Sequence, residues 1–404
     1  MKILILCNKS PYPPKEGGPI AMNAIIEGLI DEGNQVKVLA INSNKYGVDV
    51  NKIPENYRSK TGIETVYIDL SVKPLDAFFN LFTGESYHVK RFISKDFEKK
   101  LIEILQNEDF DIVQFETLFI GPYLDVVRKY SNAKIVLRSH NIEHLIWQRV
   151  AQVSRNPLKK LYLRHLARTL KYYELGILNR FDGIATITQT DADFFKKNGC
   201  NIPVISIPFG IDLSRFKENP GIEADFPSLF HIGAMNWMPN EEGIRWFLDN
   251  VWPSVNQQFP DLKFYLAGRE MPAWLKNTTI PNLVVVGEVD DAFDFMYSKS
   301  VEIVPLFSGS GIRIKIIEGM AAGRAVISTS IGAEGIQVTN GKNILIANNP
   351  EEFLNAIGQC LASRDFCELL GKNAHQLIEA DHSNKNLMKK LVAFYHQINS
   401  VKTG

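Results

Sequence analysis

Short apolar runs bounded by polar or turn residues recur along the whole chain. Between most of them lie longer stretches with apolar residues every three or four positions. "KILILCN" (2–8) reads as a buried strand, "AMNAIIEGLIDEGN" (21–34) as an amphipathic helix closing at Gly33, and "QVKVLAI" (35–41) as the next strand. "DIVQFE", "AKIVLRSHN", "FDGIATIT" and "PVISIPFGID" continue the series. After a polar, aperiodic stretch, "FKENPGIEADFP" (216–227), the alternation restarts with "SLFHIGAM", "KFYLAGRE", "LVVVGEV", "VEIVPLF", "RAVISTS" and "NILIAN". Strands separated by helices pair in parallel. The pattern predicts an α/β protein of two Rossmann-like, doubly wound parallel-sheet domains facing across a cleft.

The polar stretch is taken as the linker, so the domains are expected over 1–218 and 219–384, with a C-terminal helix over 385–404 packing back on the first. A chain of 404 residues is also too long for one compact core. Lys plus Arg and Asp plus Glu both number 45, so no overall charge draws nucleic acid and any anion site must be built locally. Cys7, Cys200, Cys360 and Cys367 form no CxxC pair, which fits a reducing compartment and offers no metal framework. The start is too short for a signal segment and no run is long enough to span a bilayer, so a cytoplasmic protein is expected.

Open parallel sheets bind ligands beyond the carboxyl ends of their strands, which directs attention to the loops there. "SGSGIRIKIIEGMAAGRAVIST" (308–329) follows a strand. Its glycines let a ligand approach the backbone, and a helix expected from about Ile312 would aim free N–H groups at the same space. Arg313 and Lys315 add cations, and Glu318, on the face of Lys315, suits the two hydroxyls of a ribose. Taken singly, Lys315 and Glu318 read equally as a surface pair and the glycines as a turn.

"NKSPYPPKEGGPIAMN" (8–23) lacks GxGxxG, but Gly17 and Gly18 open a helix where a diphosphate or an acceptor could rest; a rigid surface loop is the other reading. In "LRSHNIEHLIW" (137–147), His140 is a candidate polar helper, or else a half-buried side chain beside an Asn141 helix cap. His140 and His144 lack the HExxH frame of a zinc site. Gly233 ends the first strand of the second half, and Asn240 reads as a helix N-cap. Gly287 could offer a backbone edge to a nucleobase or simply end a strand. "RNPLKKLYLRHLARTLKYY" (155–173) has no acidic residue; it is either a solvated helix face or a basic amphipathic helix for a membrane surface.

With these residues in place, the chain resembles a retaining nucleotide-sugar glycosyltransferase of the GT-B fold, in the "glycosyl transferases group 1" family (family four). The resemblance spans nearly the whole chain. It is strongest over "PLFSGSGIRIKIIEGMAAGRAVISTSIGAEGI" (305–336), with "GAMNWMPNEEGIRWF", "PFGID" and "HNIE" in support. It implies Glu318 on the ribose, Arg313 and Lys315 on the diphosphate, and His140 beside the transferred sugar. Gly17, Gly18, Gly233, Gly287, Ser310, Gly311 and Ile312 complete the implied donor site. It implies transfer of a hexosyl group from a UDP- or GDP-sugar to a glycan or lipid-linked glycan in polysaccharide biosynthesis. No metal or cofactor is implied beyond the nucleotide sugar itself, and the departing phosphate takes the acceptor's proton. One departure stands out: where the family usually has another glutamate, eight residues before Glu318, this chain has Ser310. That leaves a nucleotide-sugar-binding protein without turnover as the alternative. A dehydrogenase and an epimerase on the same scaffold rank lower.

Overall fold

The computed structural model describes residues 1–14, 17–44, 47–73, 79–154, 156–216, 222–308 and 312–400. The chain forms two compact units, Met1–Gly210 with Asn384–Gly404, and Ile211–Ser383. In the first, β1 (Lys2–Cys7), β2 (Gln35–Ser43), β3 (Glu64–Ile68), β4 (Ile112–Glu116), β5 (Lys134–Ser139), β6 (Gly183–Thr186) and β7 (Val204–Ser206) form one sheet in the order β3-β2-β1-β4-β5-β6-β7. In the second, β8 (Asp225–Ile232), β9 (Lys263–Ala267), β10 (Leu283–Gly287), β11 (Lys299–Val304), β12 (Ala325–Ser328) and β13 (Leu345–Ile346) are ordered β10-β9-β8-β11-β12-β13. Every pairing is parallel. In each sheet the strand order reverses once, between β1 and β4 and between β8 and β11. That is where such sheets hold ligands.

Burial on both faces explains why the strands read as unbroken apolar runs. Leu4 and Leu6 of β1 enter one core layer, with Phe97, Leu101 and Phe115. Ile3, Ile5 and Cys7 face the opposite layer, which is closed by Leu387, Met388, Leu391, Phe394, Tyr395 and Ile398 of the helix Asn384–Ser400. That returning helix lies so close that a side chain at Gly183 would overlap Ile398.

The chain crosses between units at Gly210/Ile211, ahead of the polar stretch expected as the linker. Ile211 donates its N–H to the His382 carbonyl at 2.8 Å, and Phe216 packs edge-on to Phe293 at 4.6 Å between ring centres. These contacts tie the stretch to the second unit; residues 217–221 lie outside those described. Strand β3 was not expected. "ETVYI" is a short edge strand with Tyr67 61% exposed, so burial leaves little apolar signal in it. Among the described residues no helix is long and apolar enough to cross a membrane.

Candidate active site

In the second unit the strand reversal places two ionisable side chains from the sheet interior under the helix Ile314–Ala321. His231, near the end of β8, has Nδ1 2.8 Å from the Ile303 carbonyl. A carbonyl only accepts, so Nδ1 carries the proton and Nε2 is left as an acceptor. It faces Lys315 Nζ at 3.2 Å, and Lys315 also donates to Asn240 Oδ1 at 2.7 Å. Asn240 is fixed in turn by donating to the Ala234 carbonyl at 2.8 Å. Burial first, then Lys315, hold His231 well below its ordinary pKa, so the ring is a neutral acceptor for the lysine. Gly233 is needed where it stands: a Cβ there would run into Lys315 Nζ and sit 2.8 Å from Asn240 Nδ2.

Beneath this cation lies Glu302 of β11, fully buried, with neither carboxyl oxygen in a hydrogen bond. Burial lifts its pKa above the usual carboxylate range, with Lys315 opposing and Glu318 adding to the rise. The same burial lowers Lys315, while Glu302 and Glu318 act to keep it charged. Gly319 makes room for the carboxyl, since any Cβ there would overlap Glu302 Oε2.

The expected residues land differently. The helix begins at Ile314, two residues later than expected, with Arg313 at its N-cap in extended conformation. Arg313 is only 4% exposed; its Nη2 lies 3.5 Å from the Ile331 carbonyl, and burial lowers its pKa with Glu334 opposing. The guanidinium thus lies buried near the turn that carries Ile331, where the resemblance implies a place on the diphosphate. Glu318 is half-buried; burial raises its carboxyl, and Arg215 and then Lys315 pull it back down. Ile312 is half-buried, and Ser310 and Gly311 lie outside the described residues. Gly287 ends edge strand β10 with φ of 80°, and its carbonyl already accepts from Gly268 N–H at 2.7 Å. Asn240 is not a helix cap: the helix starts at Met238, and the amide is spent on Lys315 and Ala234.

The first unit carries a second cluster at its own strand reversal. His140, just past β5, has Nε2 2.6 Å from Glu116 Oε2 at the end of β4. Glu116 is fully buried, and its other oxygen accepts from Gln114 Nε2 at 2.5 Å. Gln114 Oε1 accepts from the hydroxyl of Tyr395 on the returning helix. Arg138, beside Glu116 in the sheet, donates to the Ile207 carbonyl at 3.3 Å. His140 therefore donates through Nε2, which leaves Nδ1 for other work. Its neighbour His144 pairs separately with Glu174, which also accepts the N–H groups of Glu143 and His144 at 2.9 and 3.1 Å. Glu174 thus does the capping expected of Asn141. Gly17 is the first residue of the helix Gly17–Asp31, and a Cβ at Gly18 would stand 2.9 Å from Lys9 Cε.

Glu116, His231, Glu302 and Glu174 were missed in the sequence. For the first three the available signal was a charged or imidazole side chain inside an apolar strand run, in "DIVQFE", "SLFHIGAM" and "VEIVPLF"; Glu174 lies on the helix Pro157–Ile177 and gives no such signal.

Two parallel, doubly wound sheets of this kind make up the GT-B fold, and known proteins share it. Over 98% of this chain and 99% of its own, sucrose-phosphate synthase from Thermosynechococcus elongatus superposes with a TM-score of 0.65 at 16% identity. Anabaena Alr3699/HepE in complex with UDP superposes with a TM-score of 0.63 at 13% identity, covering 98% and 100%. An uncharacterized 44.6 kDa protein in the cps region of Klebsiella pneumoniae is 23% identical over 96% of this chain and 98% of its own. Residues 226–363 match the family model Glycosyl transferases group 1. The chain thus has the GT-B fold of glycosyltransferases, and within its second unit residues 226–363 match the group 1 family.

Proposed function

We propose that the chain transfers a hexosyl group, with retention and without a metal ion, from a nucleoside-diphosphate sugar to a glycan or lipid-linked glycan on the cytoplasmic side, in polysaccharide synthesis. The observation that carries this reading is Lys315, held by His231 and Asn240 at the end of β8 with Glu318 one turn along the same helix. A fixed cation there meets the charge that grows on a departing diphosphate without reorganising. Glu318 is assigned to the ribose hydroxyls and His140 to the side of the transferred sugar. The bond between the anomeric carbon and the β-phosphate oxygen breaks, and the acceptor oxygen bonds to that carbon on the same face. Its proton passes to the departing phosphate. The UDP bound by the Anabaena neighbour supports testing a uridine donor first.

The test is calorimetric titration with UDP, GDP and ADP in EDTA, on the native chain and Glu318→Ala. One diphosphate should bind without metal, and the variant should bind it about tenfold more weakly, as expected for a lost charged hydrogen bond. If no nucleoside diphosphate binds, the reading fails. Binding without donor consumption in any acceptor mixture would favour the non-catalytic alternative.

A further inference from the structure

The helix Pro157–Ile177 carries apolar residues on two faces, and the fold uses only one. Leu163, Leu166, Ala167, Leu170, Glu174 and Ile177 are buried. Leu163 and Leu166 pack with Tyr87 and Ala151, and Glu174 locks the helix to the start of Glu143–Val153 through backbone N–H groups at 2.9 and 3.1 Å. With that face the structural role of the helix is complete.

The other face follows a stripe at spacings of three and four: Leu158, Leu161, His165, Arg168 and Tyr172, of which His165 is half-buried with Nε2 shielded from solvent. Leu158 is 79% exposed, Leu161 68% and Tyr172 65%. Arg164 and Lys171 flank the stripe, and Arg164, Arg168 and Lys171 are all exposed. From Pro157 to Tyr173 there are five Lys or Arg and no Asp or Glu, on a chain whose net charge is zero. This refines the amphipathic reading of 155–173: the leucines nearest its start are not core residues, and they share a face with the cations.

We propose that this face docks the first unit on a bilayer rich in acidic phospholipids, with the helix lying along the interface. Three surfaces could cover it. A second copy, placed by two-fold symmetry, would set Arg164, Arg168 and Lys171 against themselves. A soluble polyanion would match the cations and leave Leu158 and Leu161 in water. An acidic headgroup layer takes both, because the leucines and the Tyr172 ring enter the acyl boundary while the long basic stems reach the phosphates. Arg168 already lies 5.6 Å from the centre of the Tyr172 ring, which directs its charge along this face. The inference does not depend on the donor chemistry, which is assigned to the other unit.

The test is cosedimentation of the full chain with phosphatidylcholine vesicles and with mixed phosphatidylcholine–phosphatidylglycerol vesicles. Binding is expected only to the mixed vesicles and should weaken with added salt. It should fall about tenfold or more in L158S/L161S and in R164E/R168E/K171E, and be retained in R164K/R168K, which keeps the charge. Thermal unfolding and nucleotide titration should match the native chain in all three, which separates this result from misfolding and from failure of the transferase reading. No vesicle binding, equal binding to both lipids, or binding indifferent to the variants would overturn the proposal. So would a dimer, measured by light scattering, that L158S/L161S converts to monomer.

Discussion

The two strand reversals carry matched clusters that differ in one respect. At the first, both oxygens of buried Glu116 are engaged, one by Gln114 and one by His140. At the second, both oxygens of buried Glu302 lack a donor, and only nearby charges act on them. A carboxylate with full hydrogen bonding fixes its neighbours in place. One without them shapes the field instead, and here it helps keep Lys315 cationic in spite of burial. The first cluster fixes its side chains by hydrogen bonds, and the second holds a buried cation, which under the proposed function would meet the diphosphate.

The largest effect should come from the cation. Lys315→Ala should lower kcat/KM for the nucleotide sugar by about 10²–10³, the usual loss for one preorganised donor to a developing oxyanion. The pH dependence follows from the downward shift of Lys315 to about 8. Below that pH the ammonium is present; above it the charge is lost, while the diphosphate stays anionic. The kcat/KM profile, which reports the free enzyme, should therefore fall as pH rises through about 8. A profile flat to pH 9.5 or so in the native chain would remove Lys315 from that role.

A pair of amide substitutions tests the contrast itself. Glu116→Gln takes away the counter-charge of buried Arg138 and one partner of His140. About 3 kcal/mol of stability should be lost, as when one member of a buried charged set is removed. Glu302→Gln removes a carboxyl that accepts no hydrogen bond and whose neutral form burial already favours, so its effect should fall on the charge of Lys315, lowering its pKa, more than on stability. It should change stability by less than about 1 kcal/mol in either direction. Denaturant titration of both variants decides the matter; equal losses would erase the distinction between the clusters.

How far the sequence carried this picture depended on whether a feature was local. Apolar runs located every strand except β3, whose exposed edge position leaves "ETVYI" without a buried pattern. That Lys315 and Glu318 share a helix was legible because they lie one turn apart in the chain. The glutamates were not. Glu116 and Glu302 read as residues closing or interrupting a strand, and their meaning depends on which strands are neighbours, which the chain order does not reveal. The burial of Arg313 depends likewise on a neighbour, Ile331, that lies 18 residues along the chain. Asn240 looked like a cap because caps are local; its partner Lys315 lies 75 residues away.

The smallest effect should come from the far end of the first cluster. The Tyr395 hydroxyl, kept protonated by burial and by Glu116, donates to Gln114 from a helix that rejoins the first unit only after the second is complete. Tyr395→Phe leaves the ring packed and removes one hydrogen bond, so about 1 kcal/mol of stability should go. His140 keeps its own bond to Glu116, so kcat/KM should stay within about twofold of the native value, since a loss of that size is under 0.5 kcal/mol. A drop in turnover comparable to that of Glu116→Gln would mean that the chain from Tyr395 through Gln114 controls His140. The first cluster would then be sensitive along its whole length, and the returning helix would act on His140 as well as complete the fold.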